Sequence, residues 1–209
     1  MKPVLDIQEI VRTEIDIIAE EVLWERKMAA DFMTCYSWMI LNEDSSGAHA
    51  VVPDACPEGC LGPCFAISGI NSGEFPAEYA AILAIPGIQR GPAVQSFYET
   101  NFWNRWYPQL ASDDVAKRVF DQAVNGGGGT AVRLLQVAID SLQPPLADVI
   151  AVDGAWGPNT VAAANSCDQM ALVKSFITVR CAHYRSIYAA NPGKFTEAEL
   201  DSWLERAEK

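Results

Sequence analysis

The sequence predicts a mainly α-helical chain with a small irregular or β lobe around residues 44–73. Three observations lead there. Through most of the chain, apolar residues recur at spacings of three and four, which lines one face of a helix. Residues 44–73 break that rhythm. They are rich in Gly, Pro and Ser and too long for a simple connector. Short β-type runs, Ala50-Val51-Val52 and Phe65-Ala66-Ile67, fall inside this stretch.

Residues 4–30 read as a helix, with Leu5, Ile7, Ile10, Val11, Ile15, Ile18, Val22 and Leu23 on one face and acids on much of the other. The segment is either a core-packing helix or a docking helix for a partner. A second helix is predicted from about Ala29 to Asn42, reaching Glu43 before Asp44-Ser45-Ser46-Gly47 breaks it. Beyond the loop, Pro76–Leu83 reads as a helix with Pro in its first turn. Pro92–Tyr107 is dense in aromatics: Phe97, Tyr98, Phe102, Trp103, Trp106 and Tyr107. Such a stripe builds a core, and one or two of its rings can also stack on sugars. Ser112 is placed to cap a helix through Val124, and Thr130 to cap the next. Between them, Asn125–Gly129 reads as a flexible turn, with no Gly-Lys-Ser/Thr to cradle a phosphate. Asp153–Thr160 is a tight turn into a helix. A long helix over 169–190 stops at Asn191-Pro192-Gly193, and a last one spans about Glu197–Glu208.

The chain has 209 residues and a net charge of -12. So acidic a surface is wrong for nucleic acid, whose phosphates attract basic proteins. No apolar run reaches the roughly 18 residues of a membrane span, and the N-terminus shows no signal peptide. Against any anionic substrate the charge implies one of two things. Either the protein works at high salt, or it is held in an assembly that brings it to its substrate. Cys56, Cys60 and Cys64, with His49 nearby, allow a Cys3His metal site. A disulfide or free thiols fit the same spacing. Cys167 and Cys181 read as core residues, and no cofactor is expected.

Glu43 sits where a helix gives way to a cleft-forming loop. A carboxylic acid half-buried there against aromatics can be kept protonated near neutral pH, as a general acid for glycoside cleavage requires. A solvated Glu in a last helical turn is the plainer alternative. Asp54, eleven residues on, is the candidate second carboxylate.

The order of motifs resembles the glycoside hydrolase family 108 muramidases, lysozyme-like enzymes of phages and prophages with a C-terminal helical peptidoglycan-binding part. Phe32 leads to Glu43-Asp44-Ser45 where the family has Glu-Gly-Gly, and the loop counterpart is Gly62–Ile70. Asn101-Phe102-Trp103 is similar to the family's Tyr-Trp segment. Phe120-Asp121-Gln122-Ala123-Val124-Asn125-Gly126-Gly127, Leu135-Gln136 and Val152–Thr160 follow its later motifs closely. Arg180, Tyr184, Phe195, Trp203 and Arg206 fit its closing helices. The chain departs at Asp44 and at Ala66, which stands where the family has a water-positioning Thr, with Ser68 or Cys64 as replacements. The resemblance implies a lysozyme-like domain over 29–118, a peptidoglycan-binding-type domain over 119–209, and an extension at 1–28 able to dock phage structural proteins. It implies cleavage of peptidoglycan by Glu43 and Asp54, with Ser68, Asn71, Trp103, Asp121 and Asn125 as substrate-binding residues. The protein would sit in a phage virion or host cytoplasm and act on the periplasmic wall. A non-catalytic component of a virion, tail or secretion assembly is the alternative.

Overall fold

The computed structural model describes residues 29–103, 107–142 and 150–209. The expected N-terminal helix and Trp106 lie outside them. The architecture is mainly helical with one small antiparallel sheet, consistent with a lysozyme-like fold. Among the described residues no helix is long and apolar enough to cross a membrane.

Helix α1 is Phe32–Glu43, and Asp31 caps it by accepting from the Thr34 amide. Strands β1 (Val51–Asp54), β2 (Cys64–Ile67) and β3 (Ile70–Asn71) form the sheet in that order. Val51 pairs with Ile67 and Asp54 with Cys64, while Ile67 pairs with Ile70 across a tight turn. The β1–β2 connection carries a Cys56–Cys64 disulfide between positions eight apart in sequence. Closing so short a loop contributes about 2–3 kcal/mol by chain entropy. Helices α2 (Pro76–Leu83) and α3 (Gly91–Asn101) both open with Pro in the first turn. Pro suits that position because its missing N–H has no helical partner there.

Helix α4 (Asp113–Gly126) is capped by Ser112, and α5 (Gly128–Asp140) follows after one residue. The expected flexible turn shrinks to Gly127, whose φ of +83° breaks the helix where a side chain would be strained. Gly128 and Gly129 are already helical, so Thr130 lies inside α5 and does not cap it. Helices α6 (Pro158–Ser166), α7 (Gln169–Ala190) and α8 (Glu197–Glu208) complete the chain. α8 starts with a capping box in which Thr196 and Glu199 satisfy each other's backbone donors.

The main core is continuous from Ala30 to Phe176. α4 is its axis, packing against α1, α5 and α7. The 118/119 division therefore falls in the middle of one buried helix. A smaller cluster of Cys181, Tyr184 and Ala207 joins α7 to α8.

Candidate functional site

α1 ends at Glu43 because Asp44 turns out of the helix, with φ near -150° and ψ near 81°. The Glu43 carboxylate then lies against Gly69. A Cβ on Gly69 would come within 2.4 Å of Glu43 Oε2 and 2.8 Å of the Tyr98 hydroxyl, and its φ is +80°. Both space and backbone therefore demand glycine. Two residues on, Asn71 donates through Nδ2 to Asp54 Oδ2 at 2.7 Å and to the Ala55 carbonyl at 2.8 Å. Glu43 therefore packs against Gly69 in the β2–β3 turn, and Asp54 is hydrogen-bonded to Asn71 on β3, so both carboxylates meet the stretch 69–71. Glu43 is 15% exposed in its side chain, and Asp54 is open to solvent.

Glu43 is also tied to the far end of the chain. Arg206 on α8 donates through Nη2 to Glu43 Oε1 at 2.5 Å and to Asp121 Oδ1 at 2.8 Å. Asp121 is wholly buried and receives a second guanidinium, Arg180, which is also wholly buried. Asn42 donates to the same carboxylate at 3.0 Å. Two arginines face two acidic side chains in the cluster, Arg180 and Arg206 against Asp121 and Glu43. Burial works against the Arg206 charge, but the Asp121 and Glu43 carboxylates outweigh it and hold Arg206 above its ordinary value.

Asp44 does not turn toward Glu43. Its carboxylate accepts from the Ser46 hydroxyl at 2.6 Å, the Ser68 hydroxyl at 2.8 Å and the His49 amide at 2.9 Å. Partial burial raises its pKa, but these three hydrogen bonds and nearby His49 win, and it falls to about 2. The group sits below its ordinary 3.8 when folded. Its contribution is complete above about pH 4 and is lost as pH drops toward 2. The contribution is on the order of 2 kcal/mol. Asp44→Asn is therefore expected to be the weaker protein at pH 6, with the gap closing by pH 2. Urea midpoints of both proteins at the two pH values measure it.

His49 Nδ1 is 2.8 Å from Ser68 Oγ, completing a Ser/His/Asp cluster. It lacks the order of a nucleophilic triad. Asp44 grips the serine hydroxyl itself, and Ser68 is only 4% exposed. His49 and Ser68 both hold φ of 48°, so the cluster braces two strained residues of the loop.

Several expectations are corrected. Trp103 is 2% exposed, packed against Phe32, Tyr107 and Phe120, and has no face for a sugar. Asp121 serves the buried ion cluster and touches no open surface. Asn71 and Ser68 are buried and hydrogen-bonded within the protein, Asn71 as the residue that orients Asp54. Asn125 alone of the five substrate-binding candidates is exposed, with Nδ2 donating to the Tyr184 hydroxyl at 2.7 Å. At the Ala66 position neither replacement is free, because the Ser68 hydroxyl is engaged and Cys64 is in the disulfide. The sulfurs of Cys56, Cys60 and Cys64 gather within 4.8 Å, but His49 is committed to Ser68 and does not join them. Cys181 is buried and Cys167 half-buried, in keeping with core packing.

The comparison with protein families follows from the last helices. Residues 130–208 match the family model described as a predicted peptidoglycan domain. The chain thus carries a peptidoglycan-binding-type domain, made of α5 to α8. No curated protein matches the chain. Sequence reasoning missed the part that Arg206 of this domain plays at Glu43. One signal was available: Asp121 interrupts the apolar run Val119-Phe120-Asp121-Gln122-Ala123. A buried acid calls for a buried cation.

Proposed function

We propose that the chain is a lysozyme-type peptidoglycan hydrolase. It cuts the β-1,4 bond between N-acetylmuramic acid and N-acetylglucosamine. Glu43 protonates the glycosidic oxygen, and Asp54 stabilises the oxocarbenium-like transition state or orients water. The observation that carries this reading is that both carboxylates meet residues 69–71, Glu43 packed against Gly69 and Asp54 hydrogen-bonded to Asn71, where the end of α1 approaches the sheet. The peptidoglycan domain supports the substrate class. A phage or prophage origin, with action on the periplasmic wall, belongs to the same reading and rests on the resemblance alone.

Proton delivery needs Glu43 Oε1 to leave Arg206, so α8 acts as a latch on the acid. That contact also favours a second reading. With Glu43 held and no free hydroxyl near Ala66, the chain serves as a non-catalytic, wall-contacting module of a virion, tail or secretion assembly. Incubating the full chain with purified sacculi at low and high salt separates the two. Release of fragments ending in reducing N-acetylmuramic acid is the expected result. Sedimentation with sacculi but no release at either salt selects the second reading.

A further inference from the structure

A cavity of about 380 Å³ opens between the end of α4, the start of α5, α7 and α8, away from Glu43. Its size suits a small ligand or one sugar unit. One wall is aromatic. Trp203 meets Phe195 edge-on at 4.9 Å and Tyr184 at 5.9 Å, and both Trp203 and Phe195 are half-exposed. The floor is polar. Gln122 is wholly buried, and its Nε2 has no hydrogen-bond partner.

The direction of that amide is fixed by its neighbours. Gln122 Oε1 accepts from Arg180 Nε at 2.6 Å and from the Tyr184 hydroxyl at 3.0 Å. Arginine can only donate, so the oxygen belongs on that side and the NH2 on the other. The NH2 looks past Gly126, where a Cβ would come within 2.4 Å of Nε2. The donor itself is buried, and Gly126, with no side chain, is what lies beside it on the cavity lining. Thr130 adds a hydroxyl to the lining, and Asn125 an amide at the rim.

Among the described residues no Asp, Glu, Lys or Arg lines the cavity. Burial holds His183 below its ordinary value, so it is neutral at pH 7. A buried, oriented amide donor seeks a carbonyl, an aromatic wall takes an apolar ring face, and the absence of charge disfavours carboxylates. We propose that this cavity is a subsite for an N-acetylated amino sugar, with the acetamido carbonyl on Gln122 Nε2 and the pyranose face against Trp203. It rests on the reading of residues 130–208 as a peptidoglycan-contacting domain.

The full chain is tested for sedimentation with purified sacculi, with and without soluble N-acetylglucosamine oligomers as competitor. Direct titration of the same oligomers is followed by NMR. Gly126→Ala places a methyl against that amide, and Thr130→Leu fills the cavity from α5 with Gln122 and Gly126 both kept. Circular dichroism checks both folds. Oligomers are expected to compete, and each variant to weaken oligomer binding roughly tenfold, the worth of one good hydrogen bond. Wild-type sedimentation that oligomers do not reduce, with both variants sedimenting as well as wild type, overturns the subsite while leaving the peptidoglycan reading intact. No sedimentation of the wild type overturns that reading. Oligomer binding that survives in both folded variants places the sugar elsewhere and also overturns the subsite.

Discussion

Replacing Glu43 with Gln is expected to cut fragment release from sacculi by about 10²- to 10⁴-fold, the range a positioned general acid contributes. The substitution keeps the side-chain volume, and its amide oxygen can still accept from Arg206. Arg206 also keeps Asp121, so the fold loses little, about 1 kcal/mol. The rate effect therefore has to come from chemistry. Urea midpoints of the two proteins check the fold, and reducing-end assays on equal protein check the rate. Undiminished release by the variant would remove Glu43 from the reaction. Gly69 offers a matched control, because Gly69→Ala drives a methyl into the same carboxylate from the opposite side at a φ of +80°. It should lower release while retaining every ionisable group.

The helices were legible because their signals are local. Pro at a first turn, Ser112 as a cap and Asn191-Pro192-Gly193 as a stop each act within a few residues. The strands were legible for the same reason, within the unusual composition of the 44–73 stretch. The site was legible only in part. Glu43 at a helix end was visible in the sequence, but its partner Arg206 lies 163 residues away. No periodicity reports a contact over that distance. Trp103 and Asp121 were expected to face substrate because the resemblance of their motifs implied it. Whether such a residue faces a cleft or a core depends on what packs over it: Phe120 of α4 covers Trp103, and Arg180 and Arg206 cover Asp121. The Gly-rich run misled for a related reason. Composition suggested a flexible turn, but packing of α4 against α5 extends the helices to within one residue of each other. The boundary expected at 118/119 falls inside α4, which packs against helices on both sides of it.

That shared helix sets the second large effect. Asp121→Ala is expected to destabilise the protein by about 3–5 kcal/mol, a large part of a typical 5–15 kcal/mol total. Arg180 is wholly buried, and its Nη1 already lacks a partner. Without Asp121 its charge has only Gln122 and Tyr184 as neutral acceptors. An uncompensated buried charge costs far more than a missing contact. Urea unfolding measures the loss, and a change below about 1 kcal/mol, the range of an exposed pair, would show that the cluster is solvated. The double variant Asp121→Leu with Arg180→Met removes both charges together. It should be more stable than Asp121→Ala, because the damage comes from the orphaned cation and not from the lost pair itself. The consequence reaches the acid as well. Asp121 now shares Arg206 with Glu43, so without Asp121 the guanidinium is left to Glu43 alone. Fragment release by folded Asp121→Ala should therefore fall, although Asp121 touches no substrate. The ion cluster thus links the stability of the core to the freedom of Glu43.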